Sequence, residues 1–153
     1  MKNIKIISLV LLILFGLTVI AFAAQAVVLK FKDNTYTYYR DSDLNDLYLS
    51  ISGFNANIDK KVIDTNVVDF WAVCNAYGSV VVWELEGNNF LYALIYYKDG
   101  SILSKGYLFV DKYPVKTIQL TKTDDGAIAK VIYETGGSKN ITLRFKNVFP
   151  QPQ

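Results

Sequence analysis

The sequence predicts an α+β domain: an N-terminal hairpin and one or two short helices packed on an antiparallel β-meander of about six strands. Three observations predict it. From Ser79 onward, short apolar runs alternate with Gly, Asp, Asn or Pro punctuation, at intervals too short for a crossover helix. Before that point, two stretches carry apolar residues at helical spacing. A separate charge-free apolar run, from Ile6 to about Ala23, stands apart from both. The alternative architecture is an all-β sandwich or barrel.

Taken in order, residues 1–26 have the tripartite pattern of an export signal. Lys2 and Lys5 precede the apolar run, which ends in the small-residue sequence Ala21-Phe22-Ala23-Ala24-Gln25-Ala26. The run lies between the length of a signal-peptide core and that of a membrane span, so residues 6–23 read either as a cleaved signal or as a retained anchor. The two A-x-A sites favour cleavage, after Ala23 or Ala26. Both readings keep the lysines in the cytoplasm and place the rest in a secreted, periplasmic or otherwise extracytoplasmic location. Residues 27–148 form a single β-rich domain, and 149–153, with two prolines, a frayed tail.

Val27–Lys32 and Thr35–Tyr39 flank the turn signal Asp33-Asn34 and form a hairpin. Ser42 reads as a helix N-cap, with Asp43 and Asp46 in the first turn, an apolar stripe of Leu44, Leu47, Tyr48 and Ile51, and Gly53 at the end. Residues 54–65 read as a polar loop. Asn66 caps a second helix over 67–76, although its nearly all-round apolar set fits a buried strand almost as well. The strands that follow are Val80–Glu86, Asn89–Tyr97, Ile102–Asp111, Lys116–Thr121, Ala127–Glu134 and Ile141–Asn147. Sequence comparison of these segments with one another reveals no internal repeat.

Composition excludes several chemistries. With no histidine, Ser-His-Asp and Cys-His catalysis and His-based zinc sites are ruled out within the chain. The single cysteine, Cys74, allows no internal disulfide and reads as a buried, inert thiol among Ala72, Val73 and Ala76. The whole chain carries 16 basic and 14 acidic residues; setting aside Lys2 and Lys5 leaves 14 of each. That neutral balance points away from nucleic acid and anionic membrane surfaces. No cofactor motif appears.

The candidate contact surface is aromatic. In the Phe90–Tyr97 strand both faces are apolar: Phe90, Tyr92, Leu94 and Tyr96 on one, Leu91, Ala93, Ile95 and Tyr97 on the other. One face suits the N-terminal helices, and the other calls for a second layer, a partner or a ligand. Trp83, Tyr92, Tyr96, Tyr97 and Tyr107 are the residues assigned to such a surface. They suit a protein partner or a small apolar or aromatic ligand, or self-association, with the membrane touched only through residues 6–23 if uncleaved. The functional expectation is an exported, non-catalytic binding domain; a self-assembling surface subunit is the alternative. A small hydrolase using Glu84 and Glu86, two apart on one strand, is third. Asp124-Asp125-Gly126 lacks the full spacing of a calcium loop and reads as a turn. Asn140-Ile141-Thr142 matches a glycosylation sequon.

Overall fold

A computed structural model describes residues 26–31, 33–53 and 57–147. Eleven strands account for the fold: β1 (Ala26–Phe31), β2 (Asn34–Arg40), β3 (Leu47–Gly53), β4 (Ile58–Asp64), β5 (Val67–Cys74), β6 (Gly78–Leu85), β7 (Asn89–Tyr96), β8 (Ile102–Tyr107), β9 (Val115–Thr123), β10 (Gly126–Tyr133) and β11 (Ser138–Arg144). A single 3₁₀ turn, Phe145–Asn147, follows. The expected signal or anchor (1–26, but for Ala26) and tail (149–153) lie outside the described residues.

The predicted α+β class is thus overturned, and the all-β alternative fits. The first expected helix is β3, preceded by a turn. Ser42 caps nothing; Asp41 instead accepts the amide N–H groups of Asp43 (2.8 Å) and Leu44 (3.0 Å) in an Asx turn. Those two bonds hold the Asp41 carboxyl below the usual carboxylate range. The stripe Leu44, Leu47, Tyr48, Ile51 overlaps a second pattern, Leu47, Leu49, Ile51, in which all three residues are buried. A helix would have turned Leu49 ~200° away from Leu47, whereas a strand buries both and pairs Leu49 with Tyr38 and Ile51 with Tyr36. The second expected helix is β5, a segment rich in Val and aromatics whose ladder to β6 runs from Val67↔Leu85 to Cys74↔Ser79. Part of the expected 54–65 loop is β4.

The strands form three antiparallel meanders, ordered β1-β2-β3-β4, β5-β6-β7-β8 and β11-β10-β9. They stack face to face with the second sheet in the middle. Alternate residues of β6 and β7 therefore serve two cores. Val81, Trp83, Leu91, Ala93 and Ile95 join Tyr36, Tyr38, Leu47, Leu49 and Ile51 of the first sheet. Val80, Val82, Phe90 and Leu94 join Ile118, Ala127, Ala129, Val131 and Leu143 of the third. The two apolar faces of the Phe90–Tyr97 strand are both covered by sheets, the Leu91, Ala93 and Ile95 face by strands where helices were expected. Tyr113-Pro114 is not a hairpin turn within one meander; it lies in the passage from the second sheet to the third.

Each meander begins on the side facing its neighbours: β1 contacts β5, and β5 contacts β9. Successive four-stranded meanders stacked in this way are the building principle of propeller blades. The structural unit recurs from Ala26, Val67 and Val115 although the sequence shows no repeat. β1, β5 and β9 run the same way, as contacts at their last residues demonstrate. The Cys74 thiol approaches the Lys30 carbonyl (3.6 Å), and the Asn75 amide donates to the Thr123 and Gly126 carbonyls (3.2 and 2.9 Å). The stack thus has a proximal end, where β1, β5 and β9 start, and a distal end, where they finish.

Polar locks join the layers. The Tyr38 hydroxyl and Ser79 Oγ share a buried hydrogen bond of 2.6 Å between the first and second sheets. Trp83 Nε1 donates to Asp64 (2.9 Å), which also holds Lys105 (3.3 Å), and that ammonium lies over the Trp83 ring. On the other side, Asp111 ties the passage before β9 to sheet three by accepting from Lys139 (3.0 Å) and the Tyr133 hydroxyl (3.1 Å).

Candidate functional site

The five aromatic residues singled out above do not share a surface. Trp83 is fully buried in the first core. Tyr92 packs against the second core, its ring over Gly106 and its hydroxyl 3.5 Å from Ser104. Tyr96 and Tyr97 meet edge to face (ring centroids 5.1 Å apart) at the distal end, where the Tyr97 carbonyl accepts from Asn34 and Tyr36. Tyr107 alone of the five stands well out of the fold, 63% exposed at the proximal end.

Around Tyr107 the structure builds a surface. The β7–β8 ladder runs from Ile95↔Ile102 to Leu91↔Tyr107, and the Leu108 amide still bonds to the Phe90 carbonyl. Beyond it, β7 has almost no residues left to pair, so residues 109–114 overhang the sheet. Phe109, 80% exposed, and Tyr113 stand out from this overhang. The segment is not loose: Asn88, at φ 63°, donates to the Tyr113 carbonyl (3.4 Å) and accepts from the Val115 amide (3.2 Å). Asparagine tolerates this left-handed backbone better than other non-glycine residues, and Asn45 and Asn66, at the same end, adopt it too.

A cavity of about 560 Å³ opens beneath the overhang, lined by Asn88, Asn89, Phe90, Tyr107, Phe109 and Asp111 among others. Through Asn89 and Tyr107 it joins a second hollow of about 480 Å³ over Asp64 and Asn66. That in turn meets, at Asn66 and Glu86, a third of about 230 Å³ beside Arg40 and Val68. Adjoining hollows that share lining residues thus form a grooved surface across the proximal end, from the first sheet to the passage that leads into the third. At the distal end a hollow of about 420 Å³ lies among Lys30, Cys74, Lys122 and Asp124. Partial burial pushes the Cys74 thiol up, with Lys122 opposing; the residue is half-buried at the hollow and not enclosed as expected.

The carboxylates are dispersed. Glu84 in β6 faces Asp69 across the ladder; burial first, and then the Asp69 charge, raise its pKa. Glu86 lies past the end of that strand, in the turn lining the groove. Asp125 sits in the β9–β10 turn near Lys146 (3.5 Å) and Arg144 (4.0 Å). Asn140 is exposed on β11. Among the described residues, no group of three or more His, Cys, Asp or Glu is placed to hold a metal ion.

Sequence reasoning missed Phe109 because it extended the strand to Asp111, and Tyr113 because Tyr113-Pro114 reads as a turn between strands. Hairpin symmetry about the 98–101 turn gives a strand starting at Asn89 no partner past residue 109, which places Tyr113, though not Phe109, beyond the paired strand. Comparison of the chain with family models, curated proteins and solved structures yields no match.

Proposed function

We propose that this chain is an extracytoplasmic binding domain, non-catalytic, whose contact surface is the proximal groove and its aromatic rim. The observation that carries the reading is the exposure of Tyr107, Phe109 and Tyr113 together beside a cavity of about 560 Å³, on a segment pinned by Asn88. Aromatic side chains held rigidly in water lose little entropy on contact, and clusters of them are typical anchors of binding surfaces. The location rests on the export pattern of residues 1–26.

A photo-crosslinking residue placed at Phe109 in cells, against the same residue at Asp99 in the distal β7–β8 turn, tests the surface. Adducts from position 109 and not from 99 are expected. Equal labelling at the two positions, or none at 109, refutes the reading.

A further inference from the structure

The exposed apolar side chains are distributed unevenly. Among the described residues, Leu44, Val68, Tyr107, Phe109 and Tyr113 stand exposed in or beside the proximal loops. Val28 and Val62, also exposed, lie within two residues of the proximal ends of β1 and β4. At the distal end, Tyr77 is the one large exposed counterpart among the described residues. Scattered single exposures need no explanation, but a concentration of five at one end does.

The chain itself indicates what meets that end. β1 starts at Ala26 on the proximal side, and the apolar run in sequence finishes at about Ala23. Three residues, fully extended, reach at most about 10 Å. The headgroup layer on each side of a bilayer is roughly 5–7 Å thick. If residues 6–23 span a membrane, the proximal loops are held at headgroup depth and the distal end points away. The side chains found there suit that depth: two tyrosines, whose phenols keep a wet end, and a phenylalanine.

Charge narrows the surface further. The proximal loops carry Asp41, Asp43, Asp46, Glu86, Asp111 and Glu134 against Lys112, with Arg40 at the end of β2 and Lys139, near the start of β11, paired with Asp111. This excess of carboxylates disfavours anionic lipid, so contact comes from ring insertion into a zwitterionic interface and not from charge attraction.

We propose that residues 6–23 are retained as an anchor and that the rim formed by Tyr107, Phe109 and Tyr113 contacts the headgroup–acyl boundary of the same bilayer. This rests on the binding surface proposed above and names its partner.

The test uses the full chain in phosphatidylcholine vesicles, with Cys74→Ser removing the native thiol and a polarity-sensitive label on either Phe109→Cys or Asp99→Cys. Both labelled positions are in exposed segments, so the fold tolerates them. The expected result is a blue-shifted emission at 109 and several-fold stronger quenching by spin-labelled lipid than at 99. Adding phosphatidylserine is expected to reduce that difference. Equal quenching at both sites, or contact that appears only with phosphatidylserine, overturns the proposal. So does recovery of the native chain in a soluble fraction beginning at Ala24 or Val27. If 109 stays in water in vesicles yet still crosslinks a macromolecule in cells, the binding surface stands and the membrane assignment falls. If neither occurs, both fall.

Discussion

Replacing Tyr38 by Phe tests the seam between the first two sheets. The Tyr38 hydroxyl and Ser79 Oγ are 2.6 Å apart, and both residues are completely buried. Deleting the phenolic oxygen leaves the serine hydroxyl in the core without water or partner, a loss of about 1–3 kcal/mol. Ser79→Ala leaves the phenol unpartnered and costs a similar amount. The double variant removes both polar groups, and its cost is expected to fall about 1–2 kcal/mol short of the sum of the two single losses. For a domain of this size each kcal/mol moves the melting temperature by about 3–5 °C. Urea titration of the four proteins, read through tryptophan emission, closes the cycle.

The same bond has a pH signature. Burial raises the Tyr38 pKa above 10.0, with Ser79 opposing only in part. The neutral phenol therefore contributes stability that is complete below the unfolded value and is lost as pH rises toward the folded one. Tyr38→Phe is expected to flatten the decline in stability above pH 10 relative to the parent. Additive single losses, or an unchanged alkaline slope, would show that the two hydroxyls do not rely on one another, and the argument would fail.

Two further outcomes follow from local geometry. Asn75→Ala removes two donations into the β9–β10 turn and the acceptor of the Tyr77 amide (2.9 Å); a loss of about 1–3 kcal/mol is expected, with hydrogen exchange rising at the distal end. If exchange there is unchanged, the amide is not what joins those turns. Glu84→Gln is expected to stabilise at neutral pH. Burial and Asp69 raise the Glu84 pKa, so its favourable neutral form is complete below the unfolded value and lost as pH rises through the folded one. The benefit of Gln should therefore grow with pH across the carboxylate range, and a benefit that shrinks with pH would contradict the assignment.

Much of the strand order was readable because each turn announces itself: Gly87-Asn88, Asp99-Gly100 and Asp124-Asp125 all fall between strands. What the residues could not convey was which layer covers which face. Alternation in Phe90–Tyr97 states that both sides are dry but not what covers them. The helical reading of 42–53 failed for a related reason. Leu47 and Ile51 satisfy a period of 3.6 and a period of 2 alike, and only Leu49, matched with Tyr38 on the preceding strand, separates the two. Trp83 and Tyr92 looked like surface aromatics because exposure depends on the neighbouring sheets. Tyr107 looked similar and is exposed, because it ends the edge strand β8.

The middle sheet has no wet side, and this bears on how the chain can be made. Synthesis, and the proposed export in the same N-to-C order, deliver the first two sheets before the third. Until β9–β11 arrive, Val80, Val82, Phe90 and Leu94 form a bare greasy patch on an otherwise assembled pair of layers. The nascent protein is then at its stickiest shortly before completion, not at the outset. Truncation after about Tyr107 should accordingly yield aggregates and no smaller soluble domain, although every strand of the first two sheets would still have its hydrogen-bonding neighbours.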